Sequence, residues 1–133
     1  LQRARGMTLL LVTHDLGLVA RYADDVAVMY AGQVVEFGSV ASVLARPSHP
    51  YTLALRRALP EASSGARPRA RLQAIEGETP FVGRLPGGCA FHPRCPQGRG
   101  HPPCRQEEPP PRRVDERMVA CHRAEEVLDA AAS

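Results

Sequence analysis

Residues Met7 to Thr13 form a continuous apolar run bounded by Gly6 and His14. A run this short, without polar alternation, predicts a strand buried on both faces, as in a parallel sheet. Asp15 then supplies a helix N-cap, since its side chain can accept from the free backbone amides of the first turn. Leu16, Val19 and Ala23 follow at helical spacing, with Leu18 and Tyr22 alongside. Val26 to Tyr30 reads as a second strand, Ala31-Gly32 as a tight turn, and Gln33 to Phe37 as the antiparallel partner. Ser39 caps a short helix that carries Val40, Val43 and Leu44 on one side, and Pro47 stops it. Pro50 opens another helix at its first position, where a missing amide hydrogen costs little. Tyr51, Leu55 and Leu59 line one face of it.

Beyond this the pattern changes. From Pro60 to Arg71 the chain turns to Ser, Gly, Ala and Arg, with Ser63-Ser64-Gly65 and five arginines counted from Arg56 to Arg71. That composition reads as a linker or an exposed arm. Nine of the 13 prolines fall between Pro80 and Pro111, a stretch that also holds three of the four cysteines. A short apolar step at Met118 to Ala120 and a helical pattern from Arg123 to Ala132 close the chain. Three segments result: a regular part over 1–59, an Arg-rich linker over 60–80 and an irregular cysteine-rich part over 81–133. The last has too few large apolar residues to hold itself together by burial alone, and chains of that kind need a metal or disulfides.

Composition narrows the chemistry. A chain of 133 residues has room for one modest core. All 17 basic residues are Arg, so a Schiff base and a phosphate-loop lysine are excluded within it. A net charge of +3 is too mild to imply nucleic acid without a clustered basic face. The longest apolar stretches, such as Leu9 to Val12, fall far short of the roughly 18 residues of a membrane span, and the chain reads as soluble. Arg3 and Arg5 ahead of that stretch do not make a signal peptide, because it runs into Thr13-His14-Asp15 with no small-residue cleavage site. Leu1 in first place implies either removal of an initiator Met or a piece of a longer protein.

Cys89, Cys95, Cys104 and Cys121 are spaced Cys-x5-Cys-x8-Cys-x16-Cys. Four thiolates can enclose a zinc ion or an iron–sulfur cluster, since soft sulfur donors suit both. Two disulfides are the alternative, and the absence of secretory signals weighs against them. Spacing does not choose the metal: the close Cys pairs of structural zinc sites are missing, and so are the common ferredoxin spacings. Turns at Pro93, Pro96, Gly98, Gly100, Pro102 and Pro103 can gather the thiolates without regular structure. His92, His101 and His122 lie nearby and are read as neighbours of the ligands or as exposed; a mixed Cys/His site stays open. His14 stands where the apolar run ends and a helix begins, the position at which open parallel sheets bind ligands. An imidazole there can donate to a terminal phosphate oxygen or orient a water; the alternative is a residue that only helps the cap.

These residues resemble a known family. Leu9-Leu10-Leu11-Val12-Thr13-His14-Asp15-Leu16 is similar to the strand and switch histidine of ABC-type ATPase domains, and Ala23 through Glu36 resembles the hairpin that follows it. Ser48-His49-Pro50-Tyr51-Thr52, the run Gly88-Cys89-Ala90-Phe91-His92-Pro93-Arg94-Cys95-Pro96, and the later Cys104 and Cys121 resemble the C-terminal extension of oligopeptide/dipeptide ABC importer ATPase subunits. The second set discriminates better, because a switch histidine is common to most ABC ATPases.

The resemblance implies an α/β fold class: the partial C-terminal end of an ABC-type nucleotide-binding domain over 1–59, plus an irregular, metal-stapled Cys-rich extension over 81–133. It implies an ATP-binding subunit at the cytoplasmic face of the membrane, using ATP with Mg. Its partners would be a second ATPase subunit, two membrane-spanning permease subunits and an extracytoplasmic peptide-binding protein, with no nucleic acid. His14 would contact the ATP γ-phosphate as the catalytic and cofactor-binding residue. Cys89, Cys95, Cys104 and Cys121 would hold a 4Fe-4S cluster of structural or redox-sensitive role, with zinc as the alternative. The phosphate loop, glutamine loop, signature segment and catalytic glutamate of such ATPases are not in this sequence, so the isolated chain is expected neither to bind nor to hydrolyse ATP. The strand over Met7 to Val12 would lack its sheet neighbours and be exposed. Two other readings stand beside this one: a stand-alone four-cysteine metal module gripping nucleic acid through Arg56, Arg57, Arg67, Arg69 and Arg71, and a fragment that docks on an intact transporter subunit.

Overall fold

The computed structural model describes residues 5–58, 75, 77–81 and 83–131. Leu59, the linker reading over Pro60 to Arg71 and the arginines Arg67, Arg69 and Arg71 lie outside the described residues.

Helix α1 spans Leu16–Tyr22, started by Asp15 as read from the sequence: its Oδ1 accepts from the amides of Gly17 at 2.8 Å and Leu18 at 3.2 Å. Strands β1 (Asp25–Tyr30) and β2 (Gln33–Ser39) form the expected hairpin. Ala31 and Gly32 both take positive φ, 49° and 83°, which is the backbone that a two-residue hairpin turn demands. Between Val28 and Met29 the register slips, because Val28 pairs with Glu36 and Met29 with Val34. Val35 is thus an extra residue on β2, a β-bulge, and it lets Val35 and Glu36 both face the interior. Ser39 accepts from the Ser42 amide at 3.2 Å to start α2 (Val40–Ala45), and Pro50 opens α3 (Pro50–Arg57).

The cysteine-rich part adds two short 3-10 turns at His92–Arg94 and Pro96–Gly98, then α4 (Pro102–Gln106), strands β3 (Arg112–Val114) and β4 (Arg117–Val119), and α5 (Ala124–Ala130). Strand β4 pairs with β2 and with β3, so the sheet runs β1-β2-β4-β3 with every pairing antiparallel. The sheet therefore draws strands from both sides of the linker. So does the main core, where Val28, Tyr30, Val35 and Val43 pack with Ala90, Phe91 and Cys95. Phe91 is 1% exposed and meets Tyr30 edge-on at 5.0 Å between ring centroids and Tyr51 at 5.5 Å. A second cluster joins Val114, Val119, Cys121, Ala124 and Leu128.

The α/β class holds, but two expectations about strands need correction. Residues 7–13 are not a strand, and the sheet is antiparallel rather than parallel among the described residues. A strand needs a hydrogen-bonded neighbour, and no described segment supplies one. Leu10 and Val12 are accordingly 87% and 89% exposed, as expected for an apolar run without its sheet.

Candidate functional site

Each cysteine reaches its place by a separate local device. Cys89 follows Gly88, whose φ of +71° a side chain rarely adopts and whose added Cβ would sit 2.6 Å from the Cys104 carbonyl oxygen. With no side chain there, the Cys89 amide donates to that carbonyl at 3.0 Å and ties the two cysteine segments together. Gly98 lies between Cys95 and Cys104 with less constraint: a Cβ there would stand 3.3 Å from the Cys95 Cβ and 3.7 Å from the Cys104 Cβ. Cys104 is presented by α4, and Cys121 lies just past β4 with its Sγ accepting from the Arg123 amide at 3.4 Å. Further amides reach the sulfurs, from Phe91 and His92 at Cys89 and from Gln97 and Gly98 at Cys95.

All four are free thiols, and every pair among them interacts electrostatically. Burial, joined at Cys89, Cys95 and Cys121 by the other sulfurs, pushes each thiol up, Cys95 to about 11 and Cys121 to about 12. At Cys104 burial comes first as well, with the Arg123 guanidinium opposing it. The donor set suits a soft metal or an iron–sulfur cluster, because amides aimed at sulfur favour the thiolate that metals require. Among the described residues, no group of three or more His, Cys, Asp or Glu side chains has a geometry that holds a metal ion.

The nearby histidines sit beside this set. His101 Nδ1 lies 3.6 Å from the Cys104 Sγ, His92 Nδ1 is 3.0 Å from the Cys89 carbonyl, and His122 Nε2 is 2.9 Å from the Glu107 carbonyl. His14 is exposed, directly before the Asp15 cap at the end of the extended 7–13 segment. Arg56 donates to the Ala45 carbonyl at 2.7 Å, which spends one of the arginines named for nucleic acid on the fold.

Sequence reading missed a buried polar group under the Ser48-His49-Pro50-Tyr51-Thr52 motif. The Glu36 carboxylate, fully buried, accepts from the amides of Ser48 at 2.8 Å and His49 at 3.1 Å, and Arg117 stands 3.6 Å away. Burial pushes its pKa up, and the Thr52 hydroxyl, the two amides and Arg117 pull it back. His49 accepts from the Tyr51 amide through Nδ1 at 3.1 Å, and burial lowers its pKa to about 3. No signal in the sequence marks it: a strict two-residue alternation puts Glu36 on the side opposite Val35, and only the β-bulge turns both inward.

Residues 35–104 match the family described as oligopeptide/dipeptide transporter, C-terminal region. The chain is 44% identical over 122 residues to the dipeptide transport ATP-binding protein DppD of Haemophilus influenzae, covering 92% of this chain and 36% of that protein. It is 46% identical over 123 residues to DppD of Escherichia coli, with the same two coverages. A peptide import ATP-binding protein of Brucella ovis is 48% identical over 98 residues, 71% of this chain and 29% of that protein. The chain thus spans about a third of the length of the curated relatives it matches.

Proposed function

This chain belongs to the family of the oligopeptide/dipeptide transporter C-terminal region, and from that premise we propose that it forms part of the ATP-binding subunit of an ABC importer that couples ATP hydrolysis to peptide uptake. The observation that carries the reading is the shared sequence over 92% of the chain with proteins named for dipeptide transport and ATP binding. In this reading residues 1–59 belong to the nucleotide-binding domain, 60–80 link, and 81–133 form the cysteine extension. The subunit works at the cytoplasmic face of the membrane as one of a pair of ATPase subunits, with two permease subunits and an external peptide-binding protein. Among the described residues no helix is long and apolar enough to cross a membrane, which suits a peripheral part.

His14 is assigned the ATP γ-phosphate. Its exposure at the end of residues 7–13 supports this, because a neighbouring subunit's nucleotide can reach it there. The chain alone neither binds nor hydrolyses ATP, since one imidazole leaves Mg and phosphate without their other ligands. Cys89, Cys95, Cys104 and Cys121 are assigned a 4Fe-4S cluster, with zinc as the alternative. The presence of four free thiols and the amides aimed at Cys89, Cys95 and Cys121 support this reading. A zinc ion with Zn–S of about 2.3 Å draws its four sulfurs to within roughly 4 Å of one another. A four-iron cluster bonds each thiolate to a different iron and spaces them wider, so the two groups differ in the sulfur spacing they require. When bound, such a group supplies a structural tie or a redox-sensitive centre. The protein's own contribution is to bury the sulfurs, orient amides toward them and hold the loops that carry them.

The test is a chimera in which this chain replaces the matching segment of the Escherichia coli dipeptide transport ATP-binding protein. Dipeptide uptake and ATP hydrolysis should persist, and His14→Ala should abolish hydrolysis while leaving nucleotide binding and assembly intact. A chimera that folds and assembles but hydrolyses no ATP overturns the reading.

A further inference from the structure

The four-stranded sheet is covered on one face only. On that face Val28, Tyr30 and Val35 pack with Val43 of α2 and with Phe91. The opposite face is bare. Ala27 pairs with Phe37, Phe37 with Met118 and Met118 with Arg113, so one row of side chains crosses all four strands, and every residue in it is exposed. Met29 and Val34, paired between β1 and β2, make a second exposed row. Met29, Val34, Phe37 and Met118 are 57%, 46%, 46% and 41% exposed. Polar residues bound this area, the Asp25–Ser39 pair at one end and Arg113 on the outer strand. Four large apolar side chains on neighbouring strands, rimmed by polar ones, make a surface built to be covered.

We infer that this bare face is the seat of a helix from the part of the ATP-binding subunit that lies outside this chain. The inference rests on the reading of the chain as part of such a subunit. About two-thirds of each DppD relative lies outside the match, and the matched family is a C-terminal region, which leaves ample chain to supply the cover. A sheet with two apolar faces is stable as a middle layer, and α2 fills one side only. The row from Ala27 through Phe37 to Met118 spans three strands, about 10 Å at the usual strand spacing. One helix with its side chains is about as wide. Met29 and Met118 flank Phe37 with flexible side chains that adapt to a helix surface. A helix of the same subunit is tethered at an effective concentration of the order of millimolar, so it reaches the face ahead of a second copy.

The test is pulsed hydroxyl-radical labelling, read by peptide mass spectrometry, on the isolated chain and on the chimera with the Escherichia coli protein. Met29, Phe37 and Met118 should label freely in the isolated chain and about tenfold more slowly in the chimera. Phe81, 78% exposed and outside the sheet, should label equally in both. Phe37→Glu should restore labelling of Met29 and Met118 in the chimera and leave the urea midpoint of the isolated chain unchanged. The chain co-expressed with the preceding part of the Escherichia coli protein should co-purify with it, and Phe37→Glu should lower the yield of that complex about tenfold. Equal labelling of Met29 and Met118 in chain and chimera, or an unchanged yield of the complex, overturns the inference. Protection already present in the isolated chain, from a second copy or from its own remaining residues, overturns it as well. ATP hydrolysis by the assembled chimera separates the two claims: hydrolysis with both methionines bare fails this inference alone, and protected methionines without hydrolysis fail the functional reading alone.

Discussion

Glu36 and Arg117 face each other at 3.6 Å in the interior of the sheet, the first 0% and the second 5% exposed in its side chain. They sit on adjacent strands that lie far apart in sequence, and Arg117 also donates to the carbonyl of Arg46. One buried pair thus fastens the hairpin, the loop before α3 and the cysteine-rich part into a single unit. Removing one partner leaves an uncompensated buried charge. Glu36→Ala should therefore cost about 3–5 kcal/mol, read as a lower urea midpoint with the transition slope unchanged. A loss below about 1 kcal/mol would show that the pair contributes nothing beyond its surroundings.

His49 makes the fold acid-sensitive. Its pKa falls from 6.5 to about 3 on burial, so the folded state refuses a proton that the unfolded chain accepts. The stability it contributes is complete above pH 6.5 and is lost as pH falls toward 3. His49→Asn keeps a side-chain acceptor for the Tyr51 amide and removes the titration. The variant should be less stable at neutral pH, having lost its ring contact with Phe91, yet show a flatter stability profile between those two pH values in denaturant titrations.

Gly88→Ala should damage the cysteine site without touching a sulfur. The new Cβ meets the Cys104 carbonyl at 2.6 Å in a backbone already at φ +71°, and the loop must shift away from α4. A loss of about 1–3 kcal/mol is expected, together with weaker metal retention in a chelator challenge. Gly100→Ala is the control, since its φ is +78° but no atom lies within 4 Å of an added Cβ. If both variants lose metal equally, backbone strain and not the close approach is responsible.

Anaerobic purification should yield a brown chain with about four irons. Cys121→Ser should lower that content and bleach the visible absorbance, because it removes one of the four sulfurs. Stoichiometric zinc without colour would put the ion in place of the cluster, and a mass short by about four hydrogens would mean two disulfides.

Local elements were legible because local groups make them. Asp15, Ser39 and Pro50 act within one helical turn of themselves, and Ala31-Gly32 closes a hairpin whose two strands are adjacent in sequence. The four cysteines and His14 are candidates named from residue type and motif alone. Residues 7–13 misled for the opposite reason. Their composition specifies a strand only when a neighbour exists to pair with it, and none is among the described residues.

The sequence by itself determined the helix starts, the hairpin and the family, all of which depend on side-chain type and short-range spacing. Tertiary structure alone decided that β4 joins β2, that a bulge at Val35 turns Glu36 inward to hold the Ser48-His49 loop, and that Cys95, Cys104 and Cys121 are buried while Cys89 is half-buried. Those outcomes come from contacts between segments dozens of residues apart, where packing and hydrogen-bond satisfaction choose among arrangements that local propensity leaves equal.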